Sequence, residues 1–414
     1  MSIRGTFVIV GASLTGAKAA EALRDVGFDG RLVLVGAEPE RPYERPPLSK
    51  DFLRGEADGK PYVHEAGFYE KSEIELWTST TVRDLEPSAH EIELEGGERL
   101  AYDKLLLATG AEPRGIPIEG GELEGVRYLR TLADSEALGR ELGEGRRLVV
   151  IGSGWIGSEV AASARQQGTE VTLIERGTVP LERVLGPELG SIYAEIHRSH
   201  GVHLLPETTI EAVEGEGRVE RVRTGDGRVI DADLVVVGIG VTPRTQLAER
   251  AGLRIDNGVV VDEHLRTSAA DVFAAGDIAN AAHPFYGGRI RVEHWDNAIH
   301  QGEAAAKSML GSREPYDRIP YFFSDQYEVG MEYVGYATQW DEVVFRGKVA
   351  AREFIAFWVK DGRLMAGMNV NVWDVSDQIG QLIRSRRVLD PAELADPDTP
   401  LSELIDQGAF ADSS

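Results

Sequence analysis

One pattern occurs twice in this chain and limits its fold more than any other feature. Phe7-Val8-Ile9-Val10 is a short β-branched run. It leads into Gly11-Ala12-Ser13-Leu14-Thr15-Gly16 and then an Ala-rich helical stretch from Ala17 to Arg24. The order returns at Leu148-Val149-Val150-Ile151, Gly152-Ser153-Gly154-Trp155-Ile156-Gly157 and the helical stretch Ser158 to Arg165. Both read as strand, tight glycine turn, helix. The first glycine makes the turn, a small second residue lets the backbone approach a pyrophosphate, and the third lets helix and strand pack closely. The helix N-terminus then faces the phosphates. Each copy also carries an acid at the end of the next strand, where a ribose hydroxyl would lie. These are Glu38 after Leu32-Val33-Leu34-Val35 and Glu175 after Val171-Thr172-Leu173-Ile174. A single copy is compatible with an ordinary turn and a solvent-facing acid. Two complete copies predict two dinucleotide sites in one chain. Ser13 stands where the pattern has its middle glycine and is small enough for the turn.

Composition narrows the rest. At 414 residues, two or three domains are expected, and 42% apolar residues suffice for large cores. No apolar run approaches the roughly 18 residues of a membrane span. The longest, Leu234 to Val241, is broken by two glycines and reads as a buried strand. Met1 to Val10 is too short an apolar stretch for a signal peptide, so the chain is expected to be mature and cytoplasmic. Cysteine is absent, which excludes disulfides, thiolate metal sites and thiol redox chemistry by this chain. A net charge of −25 argues against nucleic acid and anionic membranes as partners. His197, His200 and His203 have a suggestive spacing, but they lack cysteine companions and Gly201 interrupts them. They read as exposed histidines, and no metal site is expected.

Two further segments belong with the first copy. Leu105-Leu106-Leu107-Ala108-Thr109-Gly110 reads as a buried strand ending in small residues. Val272-Phe273-Ala274-Ala275-Gly276-Asp277 reads as one ending in a carboxylate that can accept from a polyhydroxy chain such as ribitol. The competing reading of Asp277 is an N-cap for a helix over 278–282. In this order the segments resemble the two-dinucleotide flavoproteins, and in detail the ferredoxin, rubredoxin and putidaredoxin reductases, with apoptosis-inducing-factor-like proteins as cousins. Pro42-Tyr43-Glu44-Arg45-Pro46-Pro47-Leu48-Ser49-Lys50 is similar to that family's flavin-contacting loop. Glu293-His294-Trp295-Asp296-Asn297-Ala298, continuing to Gln301-Gly302, is similar to its segment beside the flavin pyrimidine. Gly238-Ile239-Gly240-Val241-Thr242-Pro243 is similar to the return from its nicotinamide domain.

The resemblance implies an α/β fold: two Rossmann-like dinucleotide-binding domains, for FAD and NAD, plus a smaller α+β C-terminal domain. It places the FAD domain at 1–112 and 245–319, the NAD domain at 113–244 and the C-terminal domain at 320–414. Phe354 to Val359 and Met365 to Val372 read as antiparallel strands of the last, and the acidic end as a surface tail with a short helix around Leu401 to Ile405. FAD contacts are implied for Gly11, Ser13, Gly16, Glu38, Arg45, Pro46, Lys50, Ala108, Thr109, Gly110, Asp277, Glu293, His294 and Trp295. NADH contacts are implied for Gly152, Gly154, Ile156, Gly157, Glu175 and Gly240.

Three residues are implied at the reaction centre. Lys50 supplies positive charge near the flavin. Glu159 pairs with Lys50 across the domain interface, and Trp295 packs on the flavin. The competing readings are a solvated lysine, a helix first-turn acid and ordinary core packing. The implied activity is NADH-dependent reduction, through FAD, of a separate iron–sulfur ferredoxin of the 2Fe-2S kind that serves an oxygenase or cytochrome P450. The alternatives are reduction of oxygen, quinones or other small acceptors, and an apoptosis-inducing-factor-like role.

Overall fold

The computed structural model describes residues 5–406. Met1 to Arg4, part of the N-terminal segment considered above, and the end of the acidic tail from 407 lie outside it. The described chain divides into two compact units. One holds the residues through Pro46 with Gly59–Glu112 and Val241–Arg318. The other holds Pro47–Asp58, Pro113–Gly240 and the residues from Ile319. The segment Pro47–Asp58, expected with the first domain, packs in the second unit.

Each unit is built on a five-stranded parallel sheet. In the first, the strands run Val272–Ala274, Lys104–Leu107, Thr6–Val10, Arg31–Val35, Ile74–Trp77 across the sheet. In the second they run His203–Leu205, Glu170–Ile174, Arg147–Ile151, Leu234–Val237, Val126–Arg127. These strands are near-continuous Val, Ile and Leu because both faces of a parallel sheet are covered. Val8, Ile9, Leu105 and Leu106, for example, are fully buried. In both units the strand that leads into the glycine turn is the central one. The run Leu234 to Val241 is not one strand: it stops at Val237, and a second short strand spans Val241–Pro243.

The C-terminal region is a five-stranded antiparallel sheet in the order Tyr321–Gln326, Val329–Gly335, Arg363–Val370, Glu353–Lys360, Glu342–Lys348. One face packs against the helix Glu182–Ser199, through Leu185, Leu189, Tyr193 and Ile196. That helix is kinked at Gly186, whose backbone is non-helical, just before Pro187. The kink takes carbonyls out of the helical ladder. Leu185 O instead accepts from Nε1–H of Trp358 at 3.1 Å.

Trp358 is therefore both a large core residue and the donor that completes the kink. Trp358→Ala is expected to lower stability by about 3–5 kcal/mol in chemical denaturation. A loss below about 1 kcal/mol would show that this face of the sheet repacks freely.

Candidate functional site

Parallel register gathers the first unit's site. Val10 pairs with Val35 and with Leu107, and Leu107 pairs with Ala274. The segments that follow these strands, carrying Gly11, Glu38, Ala108–Gly110 and Asp277, therefore leave one edge of the sheet, where ligands of open α/β sheets bind. Gly11 has φ +122°, and a Cβ on it would lie 2.1 Å from Ala108 O. A Cβ on Gly16 would lie 2.1 Å from Gly11 O. Ser13 is the N-cap of the helix Leu14–Asp25 but makes no side-chain capping bond, and the first turn holds no acid. The positive end of that helix is thus left to a ligand.

Glu38 accepts from the Tyr43 hydroxyl and from Arg45 Nη2, the latter at 3.0 Å. Burial works against the Arg45 charge. Tyr43 and Glu38, with Asp277 beyond them, outweigh it and hold its pKa above the usual value. Asp277 lies in a short 3-10 turn, Gly276–Ile278, and residues 279–283 form a strand. The helix over 278–282 that the competing reading required is not formed, so the N-cap reading of Asp277 falls. Pro46 opens another 3-10 turn, Pro46–Ser49. Thr109 Oγ1 donates to Arg244 O at 3.1 Å.

His294 caps the helix Trp295–Met309. Burial pushes its imidazole down to about 4, against the pull of Asp277 and Asp296, so it is neutral at pH 7. Trp295 is half-buried at the first position of that helix, Glu293 is exposed and pairs with Arg291, and Asp296 is locked by Arg318 at 2.7 and 2.8 Å.

The second unit repeats the plan. Ile151 pairs with Ile174 and Val237. A Cβ on Gly152 would lie 2.5 Å from Gly238 O, and one on Gly157 2.0 Å from Gly152 O. Gly154 differs: a Cβ there would meet no heavy atom within 4 Å. That glycine is not needed for packing, and the space beside it is open. Ile156 is 45% exposed on the first helical turn, and Gly240 has φ +103°. Glu175 Oε2 accepts from Ser153 N at 3.0 Å and from the Ser153 hydroxyl, and Oε1 accepts from Gly177 N at 2.8 Å. Burial raises the Glu175 pKa, but these donors outweigh it and hold the carboxyl below its usual range. It is therefore held as an anion.

The same unit contains the Lys50–Glu159 pair. Both residues are buried, with Nζ 2.8 Å from Oε2. The Ser49 hydroxyl donates to the same oxygen, and Ser324 Oγ donates to Oε1 at 2.7 Å. Ser135 Oγ donates to Leu48 O and Ser163 Oγ to Ser49 O, both at 2.7 Å, which fixes the backbone just before Lys50. The Lys50 ammonium also lies 5.8 Å from the Phe323 ring centroid. Asp325 is next to the pair. Burial raises its pKa, and the opposing effects of Lys50 and Glu159 leave it raised. Lys50 is thus not a solvated surface lysine, and the pair lies within one unit.

Ser49, Ser153, Ser324 and Asp325 had no assigned role in the sequence. The partners of the three serines are 22 to 165 residues away, and Lys50 and Glu159 lie still farther from Asp325 in the chain, so no local spacing marks them. Of the three histidines expected to be exposed, His197 is fully buried. Its Nδ1 lies 3.1 Å from the Tyr327 hydroxyl, and burial pushes its pKa to about 4. His200 stacks on Tyr327 and pairs with Glu328, and His203 is exposed.

Comparison with known proteins places these features in a group. The pyridine nucleotide-disulphide oxidoreductase family matches residues 5–302, and the reductase C-terminal family matches 321–405. The chain is 37% identical to putidaredoxin reductase of Pseudomonas putida over 412 residues, covering 98% of each protein. It is 38% identical to the ferredoxin–NAD(+) reductase component of the anthranilate 1,2-dioxygenase system of Burkholderia cepacia, covering 96% of this chain and 99% of that one. Among solved structures, the covalent putidaredoxin reductase–putidaredoxin complex superposes with a TM-score of 0.94 at 37% identity, over 98% of this chain and 99% of that one.

The two glycines of the second turn make opposite predictions. Gly157→Ala should destabilise the protein by roughly 1–3 kcal/mol, because its Cβ meets backbone. Gly154→Ala should leave the melting temperature within about 2 °C and raise the dissociation constant of NADH about tenfold or more. Equal NADH affinity in Gly154→Ala and the unmodified protein would remove the pyrophosphate from this turn.

Proposed function

The chain belongs to the pyridine nucleotide-disulphide oxidoreductase family, and we propose that it is the FAD-dependent NADH:ferredoxin oxidoreductase of an oxygenase or cytochrome P450 system, working in the cytoplasm. The observation that carries this reading is the full-length match, in both domains, to reductases of ferredoxins in oxygenase systems. The partner is a separate 2Fe-2S ferredoxin. The cytoplasm is supported by the absence of cysteine and, among the described residues, of any helix long and apolar enough to cross a membrane.

Bound FAD supplies a centre that takes two electrons together from NADH and releases them singly to an iron–sulfur protein. The chain's residues provide binding, orientation and charge. Gly11, Ser13 and Gly16 receive the FAD pyrophosphate at a helix N-terminus. Glu38 and Asp277 accept from its hydroxyls, Arg45 and Pro46 shape the loop beside it, and Ala108–Gly110 give close backbone approach. Glu293, His294 and Trp295 flank its ring, with the neutral His294 adding no charge there. Gly152, Gly154, Ile156, Gly157 and Gly240 receive NADH, and Glu175 takes the adenosine ribose. Lys50 supplies a fixed positive charge that favours electron density on the cofactor. Glu159 holds that ammonium in place, and two serines hold Glu159.

Family members that reduce disulfides need a redox cysteine, and this chain has none. The charge of −25 disfavours a nucleic-acid-binding role of the apoptosis-inducing-factor kind.

Lys50→Met is expected to slow single-turnover reduction of the cofactor by NADH about tenfold or more, with NADH affinity changed less than about threefold. An unchanged rate would leave Lys50 a purely structural partner of Glu159. In stopped-flow mixing, the NADH-reduced enzyme should pass electrons to a 2Fe-2S ferredoxin far faster than to oxygen or a quinone. Rates to oxygen or quinone that match or exceed those to every ferredoxin tried would replace this reading with a small-acceptor reductase.

A further inference from the structure

We propose that Glu182 is a second determinant of the choice between NADH and NADPH. It acts by occupying the backbone N–H and the hydroxyl of Thr178, which would otherwise bind a 2′-phosphate. The proposal rests on the placement of the NADH adenosine ribose at Glu175.

After the strand Glu170–Ile174 the chain turns through Glu175 to Thr178. Successive backbone N–H groups in such a turn form an anion-binding concavity. Here a carboxylate of the chain already fills each position. Gly177 N donates to Glu175 Oε1 at 2.8 Å, and Thr178 N donates to Glu182 Oε2 at 2.7 Å. The Thr178 hydroxyl donates to Glu182 Oε1 at 3.1 Å. The two acids lie on one side of the turn: a Cβ on Gly177 would be 2.5 Å from Glu182 Oε2 and 3.5 Å from Glu175 Oε1. Arg176 and Arg183 are both exposed beside it. Two backbone donors, a hydroxyl and two arginines are the parts of a phosphate site, and Glu182 stands in the anion's place.

The two acids therefore have different tasks. A ribose hydroxyl needs an acceptor, which Glu175 provides. A 2′-phosphate needs donors, and Glu182 withholds them while adding a like charge. Arg176 and Arg183 do not suffice to hold a 2′-phosphate: Glu175 is held by Ser153 and Gly177, and with Glu175 gone Glu182 still blocks Thr178.

The test uses the full-length, FAD-loaded protein and the variants Glu182→Ala, Glu182→Gln, Glu175→Ala and Glu175→Ala/Glu182→Ala. Calorimetry measures 5′-ADP and 2′,5′-ADP binding. Steady-state kinetics with ferricyanide give kcat/KM for NADH and NADPH. Glu182→Ala should raise 2′,5′-ADP affinity and NADPH kcat/KM about tenfold, with NADH changed less than about twofold. Glu182→Gln keeps an acceptor for Thr178 and the local packing, and should show a smaller gain from the lost charge alone. The double variant should gain more than the product of the single changes, because each acid still hinders the same phosphate when only the other is removed. Weaker 5′-ADP binding in Glu175→Ala, with 2′,5′-ADP binding unchanged in both Glu182 variants, overturns the proposal and leaves the ribose placement standing. Unchanged 5′-ADP binding in Glu175→Ala overturns the ribose placement and the proposal with it.

Discussion

A carboxylate taken out of water must be given donors, and Glu159 receives them from two parts of the chain. Ser49 ends a 3-10 turn and Lys50 follows it, and Ser324 comes from the first strand of the C-terminal sheet. Burying two opposite charges costs several kcal/mol per ion, and their attraction offsets that cost only when the remaining lone pairs are also satisfied. Here both Glu159 oxygens are engaged. This network draws Pro47–Asp58 into the second unit, so the ammonium is positioned by the helix that carries Glu159 and by the C-terminal sheet together. The C-terminal region takes part through Ser324, which fixes one half of the carboxylate.

The second constraint is steric. In each unit the helix after the glycine turn meets the backbone of the turn's first glycine, and only glycine permits this at Gly16 and Gly157. Placing that turn on the central strand puts a helix N-terminus, the small residues of the flanking strand and an acid from the other neighbour along one sheet edge. Two copies of one device give two sites whose electrostatic tasks differ. Glu38 is tied to Arg45 and Tyr43, whereas Glu175 is tied only to neutral donors and keeps its full charge.

The two glycine turns, their helices and their acids were legible because strand, turn, helix and acid follow one another within about 30 residues and their residue types are ones that steric demands dictate. The resemblance added Lys50 and Glu159, whose side chains the structure brings to 2.8 Å. Ser324 was visible only as part of a segment opening the C-terminal domain, since its partner is 165 residues away. His197 was misjudged because a histidine near a helix end looks exposed until a distant strand, with Tyr327 beyond it, covers it. Asp277 was offered a helix that the chain spends on the strand Ala279–His283. In each case tertiary packing overrode a local preference.

The central claim is that one chain carries both dinucleotides and moves electrons between them. Anaerobic titration of the purified yellow protein with NADH, followed at the flavin's visible absorbance, tests it most directly. The account predicts one FAD released per chain on denaturation, and complete bleaching at one equivalent of NADH. A protein that retains no FAD after reconstitution, or a flavin band that persists under excess NADH, would contradict it.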